Sequence, residues 1–292
     1  MTATSLAATA SGLGQGEILK NTKIGFIGAG NMANSLIRGL ISKGTESKNI
    51  WASDLDDSKL QQLALDCEIQ TGSNNDVANN ADVIVLAVKP QVMKDACMAL
   101  ESDLKDRKVL IVSIAAGINT THLENWLGES TAIVRCMPNT PALVGMGASG
   151  MFANARVSEE QKQLAAEIVS AVGFVSWVDA DSDIDIVTAV SGSGPAYFFL
   201  FMEAMQATAI EMGLSEDLAR ALTYHTAEGA AALAQHSQDD IATLRRNVTS
   251  PGGTTEQAIS TFEKGDLRGL VAKALDAART RSVELAEETD SK

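Results

Sequence analysis

Lys23–Gly44 reads KIGFIGAGNMANSLIRGLISKG. KIGFIG, Lys23–Gly28, is a short apolar run that ends in glycine; Met32, Leu36, Ile37, Leu40 and Ile41 then recur at the spacing of one helix face. A buried strand, a glycine turn and an amphipathic helix thus follow one another directly. Between strand and helix stand Gly28-Ala29-Gly30-Asn31-Met32-Ala33, a GxGxxA pattern. Its first glycine permits the tight turn, its second lets a pyrophosphate approach the backbone, and the small third residue lets helix and strand pack closely. The helix start adds free N–H groups and a positive dipole end. Glycines punctuate ordinary turns as well, so it is the strand–turn–helix setting that turns the pattern into a dinucleotide-binding fingerprint.

The same alternation continues outward. Asn49–Ser53 predicts a second strand and Asp56–Leu65 a second helix. DVIVLAV (Asp82–Val88), VLIVSIAAG (Val109–Gly117) and AIVRCMPN (Ala132–Asn139) are further apolar runs of the kind buried on both faces of a sheet. Pro90 and Gln91 open a helix after the first of these. The order implies an α/β, Rossmann-like, doubly wound parallel sheet with right-handed crossovers. Near residue 180 the texture changes. SGSGPAYFFLFMEAMQATAIEMG starts a long apolar helix, Ser215 is placed to cap another, and helices over Thr254–Glu263 and Asp266–Glu288 follow. The expected division is a flexible extension over 1–22, a dinucleotide-binding domain over 23–180, and an all-α substrate-binding and dimerisation domain over 181–292. Those apolar helices have too little chain of their own to cover them, which predicts burial in a subunit interface.

Composition narrows the function. Hydrophobic residues make up 45% of the 292 residues and the formal net charge is −14. Such an acidic surface repels phosphate backbones and anionic lipid headgroups, so neither nucleic acid nor a membrane surface is an expected partner. No uninterrupted apolar run suggests a membrane span. Residues 1–22 lack the features of a secretory or transit signal, so a cytoplasmic protein is expected. Cys67, Cys97 and Cys136 form no CxxC pair and read as buried small hydrophobes. His122, His225 and His236 lack metal-ligand spacing, and no metal is expected.

Two groups of candidate residues emerge. Asp54 ends the second strand, where a carboxylate either grips a ribose 2′-hydroxyl and repels a 2′-phosphate or, with Asp56 and Asp57, caps the next helix. Val88-Lys89-Pro90 and Ala115-Ala116-Gly117 close later strands and should line the nicotinamide side; Lys89 is read as helping to neutralise a pyrophosphate rather than as a general acid. The second group is Val248-Thr249-Ser250-Pro251-Gly252-Gly253-Thr254-Thr255. Two glycines and several hydroxyls ahead of a helix start suit a small carboxylate, but from the residues alone an ordinary helix cap, with Thr254 and Gln257 at capping-box spacing, is the better reading. Ser193 sits in no GxSxG elbow. Tyr197, Phe198, Phe199 and Phe201 read as core or interface, and the acid run Asp179–Asp185 as a solvated turn and helix cap.

GFIGAGNMA, VKP, SIAAG, MPNTPALVGMG, SGSGPAYFF and SPGGTT occur in this order from Lys23 onward. Together they resemble the pyrroline-5-carboxylate reductase family. That resemblance implies NADPH- or NADH-dependent reduction of a cyclic imine carboxylate to L-proline, on a Rossmann-like domain joined to a helical domain that interlocks two subunits, often within a ring of dimers. It implies that the glycine loop, Asn74, Ala87, Lys89 and Ala115–Gly117 surround the cofactor. It further implies that Asn247, Ser250, Gly253, Thr254 and Thr255 hold the substrate, with Thr255 assisting protonation at the ring nitrogen. Aspartate at position 54, where the family often carries serine or threonine, leans toward NADH. Gln238-Asp239-Asp240-Ile241 departs from the family pattern, so no role is carried onto it. A β-hydroxyacid dehydrogenase would be expected to carry a lysine on the long central helix, where this chain has Glu203 and Glu211. A non-catalytic dinucleotide sensor is the reading of a different class, and an intact SPGGTT loop argues against it.

Overall fold

The computed structural model describes residues 17–105 and 107–290. In chain order the first half comprises α1 (Glu17–Asn21), β1 (Ile24–Ile27), α2 (Asn31–Ser42), β2 (Ile50–Ser53), α3 (Asp57–Cys67), β3 (Gln70–Thr71), α4 (Asn74–Asn80), β4 (Val83–Leu86), α5 (Pro90–Leu104), β5 (Leu110–Ser113), α6 (Thr120–Leu127), β6 (Ala132–Met137), β7 (Gly147–Ala153), α7 (Glu159–Ser170) and β8 (Gly173–Trp177). There follow α8 (Asp183–Val187), α9 (Gly194–Glu211), α10 (Glu216–His236), α11 (Ile241–Asn247), α12 (Thr254–Lys264) and α13 (Leu267–Asp290). By contacts the described residues form two units, one running up to Gly192 and including the chain from Ser282 onward, the other spanning residues 193–281.

The first unit is the expected Rossmann-like sheet, with strand order β3-β2-β1-β4-β5-β6-β7-β8. Successive side chains of the central strands enter opposite cores, as the two-residue period of a strand requires. Phe26, Val83 and Val85 join Leu36, Ile37 and Ile168 on one face. Ile27, Ile84 and Leu86 join Met93, Leu100 and Trp126 on the other. The sheet is not wholly parallel, however: β7 runs antiparallel to β6, and β8 then pairs parallel with β7. The connection from β6 to β7 contains only a short 3-10 helix, Thr140–Val144, and is too short for the crossover that a parallel neighbour needs.

Two further expectations change. Residues 1–16 of the expected flexible extension lie outside the described residues, whereas Glu17–Asn21 are helical and Leu19 belongs to the core. Asp181 and Asp185 are not a solvated turn. The Arg135 side chain, 3% exposed in the middle of β6, donates from Nη1 to Asp181 Oδ1 at 3.0 Å and from Nη2 to Asp185 Oδ1 at 3.1 Å. Asp181 Oδ2 also accepts from the Thr120 N–H at 3.0 Å, and Asp185 Oδ1 from the Ser282 hydroxyl at 2.8 Å. This network fastens residues 181–192 and the end of α13 to the sheet, and by contacts residues up to Gly192 group with the first unit.

The second unit is all helical. Ser215 caps α10 by accepting from the Leu218 N–H, as expected. α9 carries apolar residues on every side, and Phe198, Phe199, Leu200 and Phe201 are exposed on the single chain, which assigns them to a surface rather than a core. The helical run Asp183–Glu211 is long and apolar enough to cross a membrane by length and composition, with 22% of its most apolar window buried. Asp183, Asp185, Glu203 and Glu211 break up the apolar letters and hide that property in the sequence.

Candidate functional site

The glycine turn is built by sterics. Gly28 has φ +102°, and a Cβ there would meet the Ala87 carbonyl oxygen at 2.8 Å. Gly30, by contrast, faces open space, with nothing within 4 Å of an added Cβ. Ala33 is fully buried against the sheet, as the third small position requires. Gly30 is the N-cap of α2 and supplies no side-chain cap, so the Asn31 and Met32 N–H groups have no acceptor among the described residues. Open donors at a helix start, beside a glycine with room in front of it, fit the pyrophosphate of a dinucleotide.

The neighbouring strand ends converge on this turn. Gly28 donates its N–H to the Ser53 carbonyl at 2.8 Å, Ala87 to the Ile27 carbonyl at 2.8 Å, and Ile114 to the Leu86 carbonyl at 3.2 Å. Ala87-Val88 and Ala115-Ala116-Gly117 therefore lie side by side at the carboxyl edge. Lys89 is exposed as the N-cap of α5, with Pro90 in the first turn, and its ammonium has no carboxylate partner among the described residues. Ser53, buried at the end of β2, donates its hydroxyl to Asn74 Oδ1 at 2.7 Å and so holds Asn74 at the same edge. The sequence reading passed over Ser53; a polar residue closing an otherwise apolar strand was the signal. Gly117 lies against Leu285 near the end of α13.

Asp54 is not the residue that caps α3. The cap of α3 is Asp56, whose carboxylate accepts from the Lys59 N–H and is held near a pKa of about 2, chiefly by the Ser58 hydroxyl. Asp54 Oδ2 instead accepts the Ala29 N–H at 2.6 Å, while Oδ1 accepts the Asp56 N–H at 2.8 Å. The carboxylate is thus seated on the glycine turn, with lone pairs to spare for hydroxyl donors.

In the second unit, Thr249 and Gly253 enclose the SPGG turn. Gly252 has φ +69°, a left-handed conformation that side chains rarely adopt. The expected Thr254–Gln257 capping box is absent: Gly253 is the N-cap of α12 and Thr254 is already its first helical residue. Helix geometry moved the cap one residue upstream, and Glu256 reaches back to the Gly252 N–H at 2.8 Å. Hydroxyls divide cleanly. Thr249 is tied to the Arg245 carbonyl at 2.6 Å and Thr261 to the Gln257 carbonyl at 2.9 Å. Ser250, Thr254 and Thr255 have side-chain hydroxyls with no partner among the described residues, and the Thr254 and Thr255 N–H groups are likewise open. Asn247 ends α11 and donates to Asp239 Oδ2 at 3.3 Å, while Asp240 caps α11. Asp239 and Asp240 of the divergent segment are thereby tied to the helix that carries Asn247.

The three cysteines and His122 lie in the interior. Cys67, Cys97 and Cys136 are buried and free, and burial pushes the thiols of Cys97 and Cys136 up to about 12. His122 is buried and stacked on Trp126, with ring centroids 5.5 Å apart.

A glycine turn with an open helix start at the carboxyl edge of a doubly wound sheet defines a dinucleotide-binding oxidoreductase. A family model for NADP oxidoreductase, coenzyme F420-dependent, matches residues 23–117, and one for pyrroline-5-carboxylate reductase dimerisation matches residues 181–285. The chain is 51% identical over 271 residues to the pyrroline-5-carboxylate reductase of Pseudomonas aeruginosa, covering 92% of this chain and 99% of that one. It is similar to the structure of a pyrroline-5-carboxylate reductase from Coxiella burnetii, with a TM-score of 0.88 and 46% identity over 91% of this chain and 98% of that one. The Plasmodium falciparum pyrroline carboxylate reductase with NADP bound gives a TM-score of 0.81 at 30% identity, over 92% and 99% of the two chains. The chain belongs to the pyrroline-5-carboxylate reductase family. Its helical unit is a dimerisation element, so the protein self-associates.

Proposed function

We propose that this chain reduces the C=N bond of 1-pyrroline-5-carboxylate to L-proline, the last step of proline biosynthesis, and does so with NADH in preference to NADPH. The observation that carries the reaction is the Ser250–Thr255 loop, a helix start with open N–H groups and three uncommitted hydroxyls, in a chain of this family. When bound, the reduced nicotinamide supplies the hydride. The chain's own task is orientation, which is where most of the rate advantage of such a transfer arises. Ser250 and Thr254, on the turn that Gly252 and Gly253 shape and with Asn247 beside them, hold the substrate carboxylate on their open donors. The Thr255 hydroxyl faces the ring nitrogen and assists its protonation, which makes the imine carbon electrophilic.

The glycine loop Gly28–Met32, Asn74, Ala87–Pro90 and Ala115–Gly117 hold the dinucleotide. Asp54 supports NADH: its carboxylate accepts ribose hydroxyls next to the Ala29 N–H, and a 2′-phosphate there would meet a fixed negative charge. Asp54→Ser removes both effects. A hydrogen bond to a charged group contributes about 1.5–3 kcal/mol, so the NADH-to-NADPH ratio of kcat/KM should fall by about tenfold or more. An unchanged ratio in paired assays would remove Asp54 from cofactor choice.

The exposed apolar faces of α9 and α10 suit an interlocked homodimer, with a ring of dimers as a larger form. A cytoplasmic setting accords with three free, buried thiols and the net charge of −14. The same charge argues against nucleic acid and membrane partners.

A further inference from the structure

We propose that Glu256 is a built-in rival of the substrate carboxylate and limits how tightly the imino acid and its reduced product are held. The inference rests on the Ser250–Thr255 loop being the substrate-carboxylate site. Two of that loop's backbone donors are already taken. The Gly253 N–H is bound to the Ser250 carbonyl at 3.0 Å, and the Gly252 N–H is bound to Glu256 Oε2 at 2.8 Å. The donors left open are the N–H groups of Ser250, Thr254 and Thr255 and the hydroxyls of the same three residues. Glu256 is exposed and makes no ion pair among the described residues, so the Gly252 N–H is its one described partner.

The physics that draws a ligand carboxylate to this turn has therefore already drawn a side-chain carboxylate. Glu256 stands third in α12, in the first turn, where the helix dipole favours an anion. A substrate carboxylate on the Thr254 and Thr255 donors meets a like charge close by. It gains the Gly252 donor only if Glu256 gives it up. Because L-proline carries the same carboxylate as the imine, the penalty falls on both alike. Weakening both alike is uniform binding in reverse: it raises KM and eases product release.

The test is steady-state kinetics of the full-length protein with Glu256→Gln and Glu256→Ala. In Glu256→Gln the amide oxygen still accepts the Gly252 N–H but the charge is gone. KM for pyrroline-5-carboxylate and the inhibition constant of L-proline should both fall about fivefold, the factor for two unit charges about 4 Å apart in water. Glu256→Ala, which also frees the donor, should fall at least as far, with KM for NADH unmoved in both. A residue that merely caps the helix would not tighten ligand binding. Constants that stay level or rise in both variants overturn the proposal, and Glu256→Gln alone decides if Glu256→Ala melts early. Should the wild type fail to turn over the imine, calorimetric binding of L-proline separates the two ideas. Tighter binding in Glu256→Gln would keep the rival and sink the reductase reading. Equal binding would sink the rival, and binding to none of the three proteins would sink both.

Discussion

Arg135→Ala should lower the free energy of unfolding by about 3–5 kcal/mol, the cost of leaving one side of a buried ion pair uncompensated. The side chain is 3% exposed, Asp185 13% and Asp181 23%, so water replaces the lost guanidinium only in part. Two carboxylates are stranded by the change, and the Ser282 hydroxyl and Thr120 N–H cannot neutralise them. The loss reaches beyond β6, because Asp181 and Asp185 hold residues 181–192 on the sheet and Asp185 holds Ser282 of α13. Replacing Arg135, Asp181 and Asp185 together by apolar residues should cost far less than Arg135→Ala alone, since no charge is then left unpaired. Denaturant melts at one fixed protomer concentration measure both, because self-association adds to apparent stability. A loss below about 1 kcal/mol, typical of an exposed pair, would show that the network does not stabilise the fold.

Thr255→Ala should reduce kcat by about a hundredfold, the lower range for assistance by a positioned proton donor. Its hydroxyl has no partner among the described residues, unlike that of Thr249, which is tied to Arg245. Truncation therefore breaks no internal bond, and the expected stability change is small. The affinity for NADH, measured by fluorescence titration, should hold steady, and Thr255→Ser should restore most of the turnover. A variant that turns over at the wild-type rate would leave the Thr255 hydroxyl with no part in the chemistry.

Much of the first unit was legible because β1, β4, β5 and β6 ran apolar toward a glycine or proline and α2 showed one apolar face. The glycine turn was legible down to the roles of its positions: Gly28 close to Ala87, Gly30 facing open space, Ala33 buried. β7 was not legible. Its residues, GASGMFA, show no clean alternation, and its antiparallel direction follows from the length of a turn rather than from its own letters. The Arg135 network was half visible. A lone arginine inside the apolar run AIVRCM demanded a carboxylate, but the partners lay 46 and 50 residues along the chain. Glu256 shows how a local rule fails. Capping-box spacing pointed to Thr254 and Gln257, whereas the left-handed Gly252 shifted the helix start and handed the contact to Glu256.

The most direct measurement is oxidation of NADH and of NADPH, each alone, by the purified protein with pyrroline-5-carboxylate supplied. Proline-forming turnover with both cofactors and a higher kcat/KM for NADH is the predicted result. No oxidation of either cofactor while both still bind would contradict the reductase, and leave a dinucleotide-binding protein in its place.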